Sequence, residues 1–101
     1  MHASAKHPSV DAEIRAAAGW YEERCPGLGV QFVEAIRQVS ALIDMSPQRY
    51  AIRFADIRRA KLARFPYSIW YCFSGNRVHV LSVLHNKREH RALLAQRRPD
   101  N

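Results

Sequence analysis

The sequence predicts an α+β domain in which an antiparallel helical hairpin packs on a small three- to four-stranded antiparallel sheet. Apolar residues in the front half recur at helical spacing. Residues in the back half alternate with the two-residue period of strands, and turn residues separate the runs. Pro66 divides the first two runs, and Ser74–Arg77, which contains Gly and Asn, divides the last two. A helical pair followed by a meander is therefore expected.

Two helices are predicted before the sheet. The first runs from about Ser9 to Arg24, and a Cys-Pro-Gly sequence ends it. The second runs from about Gly29 to Asp44 and carries an apolar stripe that consists of Phe32, Ile36, Val39 and Ile43. Because the connection is so short, the two helices should form an antiparallel hairpin.

Three strands are predicted next, at Arg58–Phe65, Tyr67–Phe73 and Val78–Leu84. Neither face of the middle strand is strongly polar, which indicates a central strand covered on both sides. The remaining elements are a short edge strand within Met1–His7, a loop over Gln48–Asp56, and a short C-terminal helix that Leu93 and Leu94 anchor and that ends near Arg97.

The composition is that of one globular domain spanning residues 1–101, with 48% hydrophobic and 25% charged residues. No apolar run is long enough to span a membrane, and a cytoplasmic protein is expected. Cys25 and Cys72 should be free thiols. No cofactor is implied: there is no Gly-rich phosphate loop, and His85, His90 and Cys72 lack convincing metal-ligand spacing.

The positive charge lies in the back half of the chain. Residues 1–45 hold four Lys/Arg and six Asp/Glu, whereas residues 46–101 hold twelve Lys/Arg and three Asp/Glu. Such asymmetry favours a phosphate-rich or acidic partner. The alternative is a basic surface that serves only solubility.

Three segments together resemble the RelE/ParE toxin superfamily. They are WYEERCPGLGVQF (Trp20–Phe32), RRAKLARFPYSIWY (Arg58–Tyr71) and VHVLSVLHNKR (Val78–Arg88), and the resemblance extends from about Ser9 to Arg88. It implies a helical hairpin on a small antiparallel sheet. It also implies a growth-inhibiting toxin of a type II, plasmid-stabilisation toxin–antitoxin module, bound by a cognate antitoxin, as a homodimer or as a toxin–antitoxin heterocomplex.

The superfamily divides by target, so whether this chain is an enzyme stays open at the level of sequence. RelE-like members cut mRNA on the ribosome, whereas ParE-like members poison DNA gyrase without catalytic residues. Metal-free RNA cleavage needs a base, a phosphate-binding cation and an acid. The candidates are Lys61 as base, Arg88 as phosphate clamp and His85 for proton transfer.

Further basic residues are candidates for binding nucleic acid or another target: Arg58, Arg59, Arg64, Lys87 and Arg91. A plainer interpretation gives Arg59 and Lys61 the task of protecting an edge strand from aggregation. Ser68 and Leu94 occupy positions where nucleolytic relatives carry an arginine and a tyrosine. The absence of those two groups favours a ParE-like, non-nucleolytic toxin. The alternatives are a RelE-like endonuclease and a basic nucleic-acid-binding module without toxicity.

Overall fold

The computed structural model describes residues 3–99, which form three helices and one five-stranded sheet. In chain order the elements are β1 (Ala3–Lys6), α1 (Val10–Arg24), α2 (Leu28–Met45), β2 (Ile52–Phe54), β3 (Ile57–Lys61), β4 (Tyr67–Ser74), β5 (Arg77–His85) and α3 (Arg91–Arg97). The strand order is β1-β5-β4-β3-β2. All neighbours are antiparallel except β1, which runs parallel to β5.

The predicted helical hairpin is confirmed, and a carboxylate fixes its turn. Glu22 of α1 accepts hydrogen bonds from the backbone N–H groups of Gly27 (2.9 Å) and Gly29 (3.0 Å) at the start of α2. This satisfies donors that the first turn of a helix leaves free. The helices approach so closely that a Cβ at Gly29 would lie 2.7 Å from the carbonyl oxygen of Ala18. The close crossing therefore depends on Gly29, and the sharp turn depends on Gly27, whose φ of 91° lies in the left-handed region.

The middle strand is central, as expected, and its two faces are buried in two different clusters. Ile69 and Tyr71 of β4 pack with Phe32 of α2 on the hairpin side of the sheet. Trp70 and Cys72 pack on the opposite side, where Leu94 of α3 joins them. The hairpin and α3 thus cover opposite faces, and the C-terminal helix expected from the sequence is confirmed.

The sheet has five strands because two short strands extend the predicted meander. Within Gln48–Asp56, predicted to be a loop, β2 turns tightly into β3 through Ala55, whose φ of 51° lies in the left-handed region. The edge strand predicted near the N-terminus is present as β1; Met1 and His2 lie outside the described residues.

The first predicted strand is shorter than expected, since β3 ends at Lys61 rather than Phe65. Leu62 and Phe65 both turn into the hairpin-side core. The backbone closes this turn with hydrogen bonds from Leu62 N to the carbonyl oxygen of Tyr67 (2.9 Å) and from Tyr67 N to that of Phe65 (2.8 Å). The prediction assumed that side chains alternate between the two faces as far as Phe65, but the burial of Leu62 and Phe65 in the hairpin-side core ends the strand earlier.

Candidate functional site

Lys61 lies exposed at the end of β3, on the face of the sheet that α3 covers. Its register partner on β4 is Ser68, and Ser68 in turn pairs with Leu84 of β5. Ser68 is buried, and its hydroxyl donates to the side-chain carbonyl of Asn86. Arg59 shares this face, with its guanidinium carbon 5.8 Å from the ring centroid of Trp70. Position 68 is therefore part of the core.

His85 lies on the other face of the sheet. It pairs in register with Tyr67 of β4, and the two ring centroids are 5.3 Å apart on the hairpin side. Its Nδ1 accepts the backbone N–H of Lys87 at 3.1 Å. Side chains alternate across a strand, and β3 and β5 are separated by two inter-strand spacings of about 5 Å each. Lys61 and His85 are thus separated by the sheet itself, and the structure does not unite these two candidate residues.

Arg88 follows β5 in an exposed turn closed by a hydrogen bond from its own N–H to the carbonyl oxygen of His85 (2.8 Å). Lys87 is exposed in the same turn. Among the described residues no acidic side chain forms an ion pair with Arg88. Arg88 is therefore available to an acidic partner.

Arg58 and Arg64 have local structural partners. Arg58 points to the hairpin side of β3, where its Nη1 donates to the carbonyl oxygens of Tyr50 (2.6 Å) and Gln48 (3.3 Å). Arg64 donates to the side-chain oxygen of Gln31 at 2.8 Å. Arg58 thus holds the segment before β2, and Arg64 ties the turn after β3 to α2.

The expectation that Arg59 and Lys61 lie on an edge strand is wrong, since β2 forms that edge of the sheet. β2 pairs only with the first two residues of β3.

An arginine–carboxylate cluster that the sequence did not reveal lies between β2 and α3. Glu89 accepts from Arg53 at 2.6 Å and from Arg91 at 2.8 Å, and these two hydrogen bonds lower the pKa of its carboxyl. Arg91 also stacks over Phe54, whose ring lies 6.4 Å from that of Trp70. The face covered by α3 therefore carries a basic patch, which we define as Arg53, Arg59, Lys61 and Arg91.

Leu94 is fully buried and anchors α3 on the sheet. Arg97 and Arg98 hold the end of that helix through ion pairs with Glu13 of α1 (2.7 Å) and with Asp56 (2.9 Å). This region is therefore an apolar anchor for the C-terminal helix.

A groove of about 910 Å³ opens between α1, the outer edge of β5 and α3. We call it the β5 groove. Trp20, 49% exposed, lies on its α1 side, and Arg88 lies on the other. Arg97 and Glu13 meet within it although 84 residues separate them in sequence. Helical spacing and charge patterns carry no signal for such a long-range pair, which is why the sequence did not indicate this groove.

Residues 3–99 contain neither a cluster of metal-ligating side chains nor a helix suited to cross a membrane. No group of three or more His, Cys, Asp and Glu side chains in this range is arranged to hold a metal ion. None of the three helices is both long and apolar enough to cross a membrane. Cys25 is exposed and Cys72 is buried, and both are free thiols as expected.

Comparison with known proteins finds similarity at the level of structure. No family model and no curated protein matches the sequence. Among solved structures, a chain of the chromosomal ParDE TA (toxin–antitoxin) system from P. aeruginosa superposes with a TM-score of 0.72 and 20% sequence identity. The match covers 84% of this chain and 96% of the other. The fold implied by the resemblance to the RelE/ParE superfamily is thereby confirmed: this chain has the α+β fold of a ParDE toxin–antitoxin protein, a helical hairpin packed on a mostly antiparallel sheet.

Proposed function

We propose that this chain is the growth-inhibiting toxin of a type II toxin–antitoxin module, that it poisons DNA gyrase in the manner of ParE, and that a cognate antitoxin neutralises it. The fold shared with a chain of a ParDE system supports the toxin assignment. The concentration of positive charge in the back half of the chain supports an acidic or phosphate-rich partner. DNA gyrase acts in the cytoplasm, which is where we place the toxin.

The observation that carries the choice of a non-nucleolytic toxin is the dispersal of the candidate catalytic residues. General acid–base cleavage requires a base and an acid within hydrogen-bonding reach of one phosphodiester. Lys61 and His85 instead lie on opposite faces of the sheet. The loss of one electrostatic contact to a transition state typically lowers the rate by roughly 10²–10³, so an incomplete set gives a poor nuclease.

The two replaced positions strengthen this argument. Ser68 and Leu94 have relative exposures of 0%. An arginine at position 68 would bury a charge, and a tyrosine at position 94 would overfill the cluster formed with Trp70 and Leu84. Introducing the arginine at position 68 and the tyrosine at position 94 would therefore disturb the packing of the core.

Target binding by a toxin of this type requires only a complementary surface. The basic patch offers one, because its arginines lie next to the half-buried ring of Phe54, over which Arg91 stacks. Arginine and aromatic side chains are enriched among residues that dominate binding energy. We assign the patch to the contact with gyrase.

The test compares two readouts after the protein is induced alone in bacteria. A gyrase poison should arrest growth, produce gyrase-dependent DNA breaks and induce the SOS response, while ribosome-bound mRNA stays uncut. Cleavage mapped to mRNA on translating ribosomes would replace this function with the RelE-like one. Normal growth in the presence of soluble, folded protein would contradict both and favour a non-toxic basic nucleic-acid-binding module.

A further inference from the structure

The outer face of α2 carries the two most exposed large hydrophobic side chains of residues 3–99. They are Val30 and Met45, with relative exposures of 73% and 77%. Successive residues of a helix are rotated by about 100°, so positions 30, 34, 37, 41 and 45 fall on one side of α2, and all five are exposed. We define the outer face as Val30, Glu34, Arg37, Ala41 and Met45. The buried residues of α2 lie on the other side, so the outer face points away from the sheet.

A groove of about 430 Å³ opens between α1 and α2 beside the N-terminal end of this face. We call it the hairpin groove, and Gly19, Val30 and Val33 are among its lining residues. A Cβ added at Gly19 would meet no heavy atom of the described chain within 4 Å. The groove therefore has room for a further apolar side chain beside Val30.

Met45 is suited to fill this groove on a second copy of the chain. At a rise of about 1.5 Å per residue, Val30 and Met45 are about 22 Å apart along α2. A two-fold axis near the middle of α2 makes the helices of two copies antiparallel and brings Met45 of each beside Val30 of the other. Such a contact is the same on both copies, as a two-fold interface requires. The flexible thioether side chain of methionine adapts well to irregular apolar gaps.

Glu34 and Arg37 lie between the two apolar ends and extend this match. About the same axis, Glu34 of each copy comes within reach of Arg37 of the other. In the single chain the two groups are 3.9 Å apart, and their side chains are 56% and 73% exposed. So exposed a pair contributes little to stability, which leaves both charges available to a second copy. The outer face is thus complementary to itself in charge as well as in shape.

The charge of α2 favours a second copy over an acidic or a nucleic-acid partner. The whole chain has a formal charge of +7, whereas α2 contains two acidic residues and one basic residue. Two strongly positive chains repel each other unless they meet through a surface that lacks the positive excess. The outer face of α2 is such a surface, and it offers no excess of cations to a polyanion.

We propose that the outer face of α2 and the hairpin groove form a homodimer interface, in which α2 packs antiparallel on α2 of a second copy. Met45 of each copy fills the hairpin groove of the other, and Glu34 of each pairs with Arg37 of the other. The hairpin and α3 cover opposite faces of the sheet, so each dimer exposes two basic patches. The dimer does not depend on the proposed function.

Sedimentation velocity of the purified full-length chain over a concentration series tests the dimer. The wild-type chain should pass from the mass of one chain to that of two as its concentration rises. Met45→Glu should weaken self-association about tenfold or more, because it places a carboxylate in an apolar groove. The matched control is Ile52→Glu, which makes the same charge change at a residue 50% exposed on β2 and should leave the dimer unchanged.

A charge exchange tests the pairing of the two helices. Glu34→Arg and Arg37→Glu should each weaken self-association about fivefold or more, because like charges then meet twice in each dimer. An equimolar mixture of these two variants should recover the affinity of the wild-type chain, because the mixed dimer again contains two pairs of opposite charge. Circular dichroism of each variant checks that its helix content is unchanged.

A wild-type chain that stays monomeric throughout the series would refute the proposal. A dimer that Met45→Glu weakens no more than Ile52→Glu would refute it as well, and would place the contact on another surface. A mixture of the charge variants that associates no better than either variant alone would exclude the antiparallel pairing. Growth arrest after induction is measured separately, so none of these outcomes decides the proposed function.

Discussion

Glu13→Ala should be one of the more destabilising single substitutions on the surface of α1. The wild-type carboxylate accepts from Ser82, from the backbone of Val83 and from Arg97. Ser82 is fully buried, and the side chains of Glu13 and Arg97 are only 22% and 12% exposed. Truncation leaves two donors without an acceptor and a largely buried guanidinium without its counter-charge. Each unsatisfied group costs about 1–3 kcal/mol, so we expect a loss of roughly 3 kcal/mol.

Urea unfolding followed by circular dichroism measures this loss. The matched control is Glu23→Ala on the same helix, whose side chain is exposed and should change the free energy of unfolding by less than about 0.5 kcal/mol. For a domain of this size about 3 kcal/mol corresponds to a fall in Tm of roughly 12–24 °C. A loss for Glu13→Ala no larger than that of Glu23→Ala would show that the carboxylate does not close the edge of β5.

A double-mutant cycle separates the ion pair from the edge contacts. Glu13→Ala and Arg97→Ala should be non-additive, with a coupling energy within the range of about 0.5–3 kcal/mol found for contacting residues. Additive losses would mean that the two side chains act independently, which the 2.7 Å distance between them argues against.

Three further predictions concern other parts of the molecule. Lys61→Ala and Arg88→Ala should each change the free energy of unfolding by less than about 0.5 kcal/mol. Each should also reduce toxicity only gradually in growth assays. Complete loss of toxicity from Lys61→Ala alone, together with mRNA cleavage by the wild-type protein, would establish an enzyme. Leu94→Ala should either lower the free energy of unfolding by about 2–5 kcal/mol or let α3 detach locally from the sheet. Hydrogen exchange of the α3 amides distinguishes these two outcomes, and unchanged protection of those amides would contradict the anchoring role of Leu94. Burial raises the pKa of Tyr71 to about 12 from 10.0, so the unfolded chain loses its phenolic proton first as pH rises. The titration of Tyr71 should therefore lower the free energy of unfolding by roughly 2 kcal/mol from pH 10 to 12, and the total fall over this range should be smaller by about that amount in Tyr71→Phe.

The sequence by itself determined the parts of the fold that depend on local patterns. Helical spacing in Phe32, Ile36 and Ile43 identified the buried stripe of α2, and all three are buried. Alternation in β4 identified a strand with two apolar faces, and its placement at the centre follows from the need to cover both. Pro66 and the Gly-Asn turn divided the strands correctly because each acts on the backbone within a few residues.

The tertiary structure alone decided how distant residues meet, because strand register and helix docking depend on contacts between residues far apart in sequence. β2 formed where a loop was expected, since a three-residue strand has too little pattern to detect and depends on its pairing with β3. Register placed Lys61 and His85 on opposite faces, which no spacing along the chain could reveal. Packing of α3 on the sheet brought Arg97 to Glu13 and formed one wall of the β5 groove. Because β1 leaves part of the β5 edge unpaired, the backbone N–H of Val83 needs another acceptor, and the Glu13 carboxylate provides it.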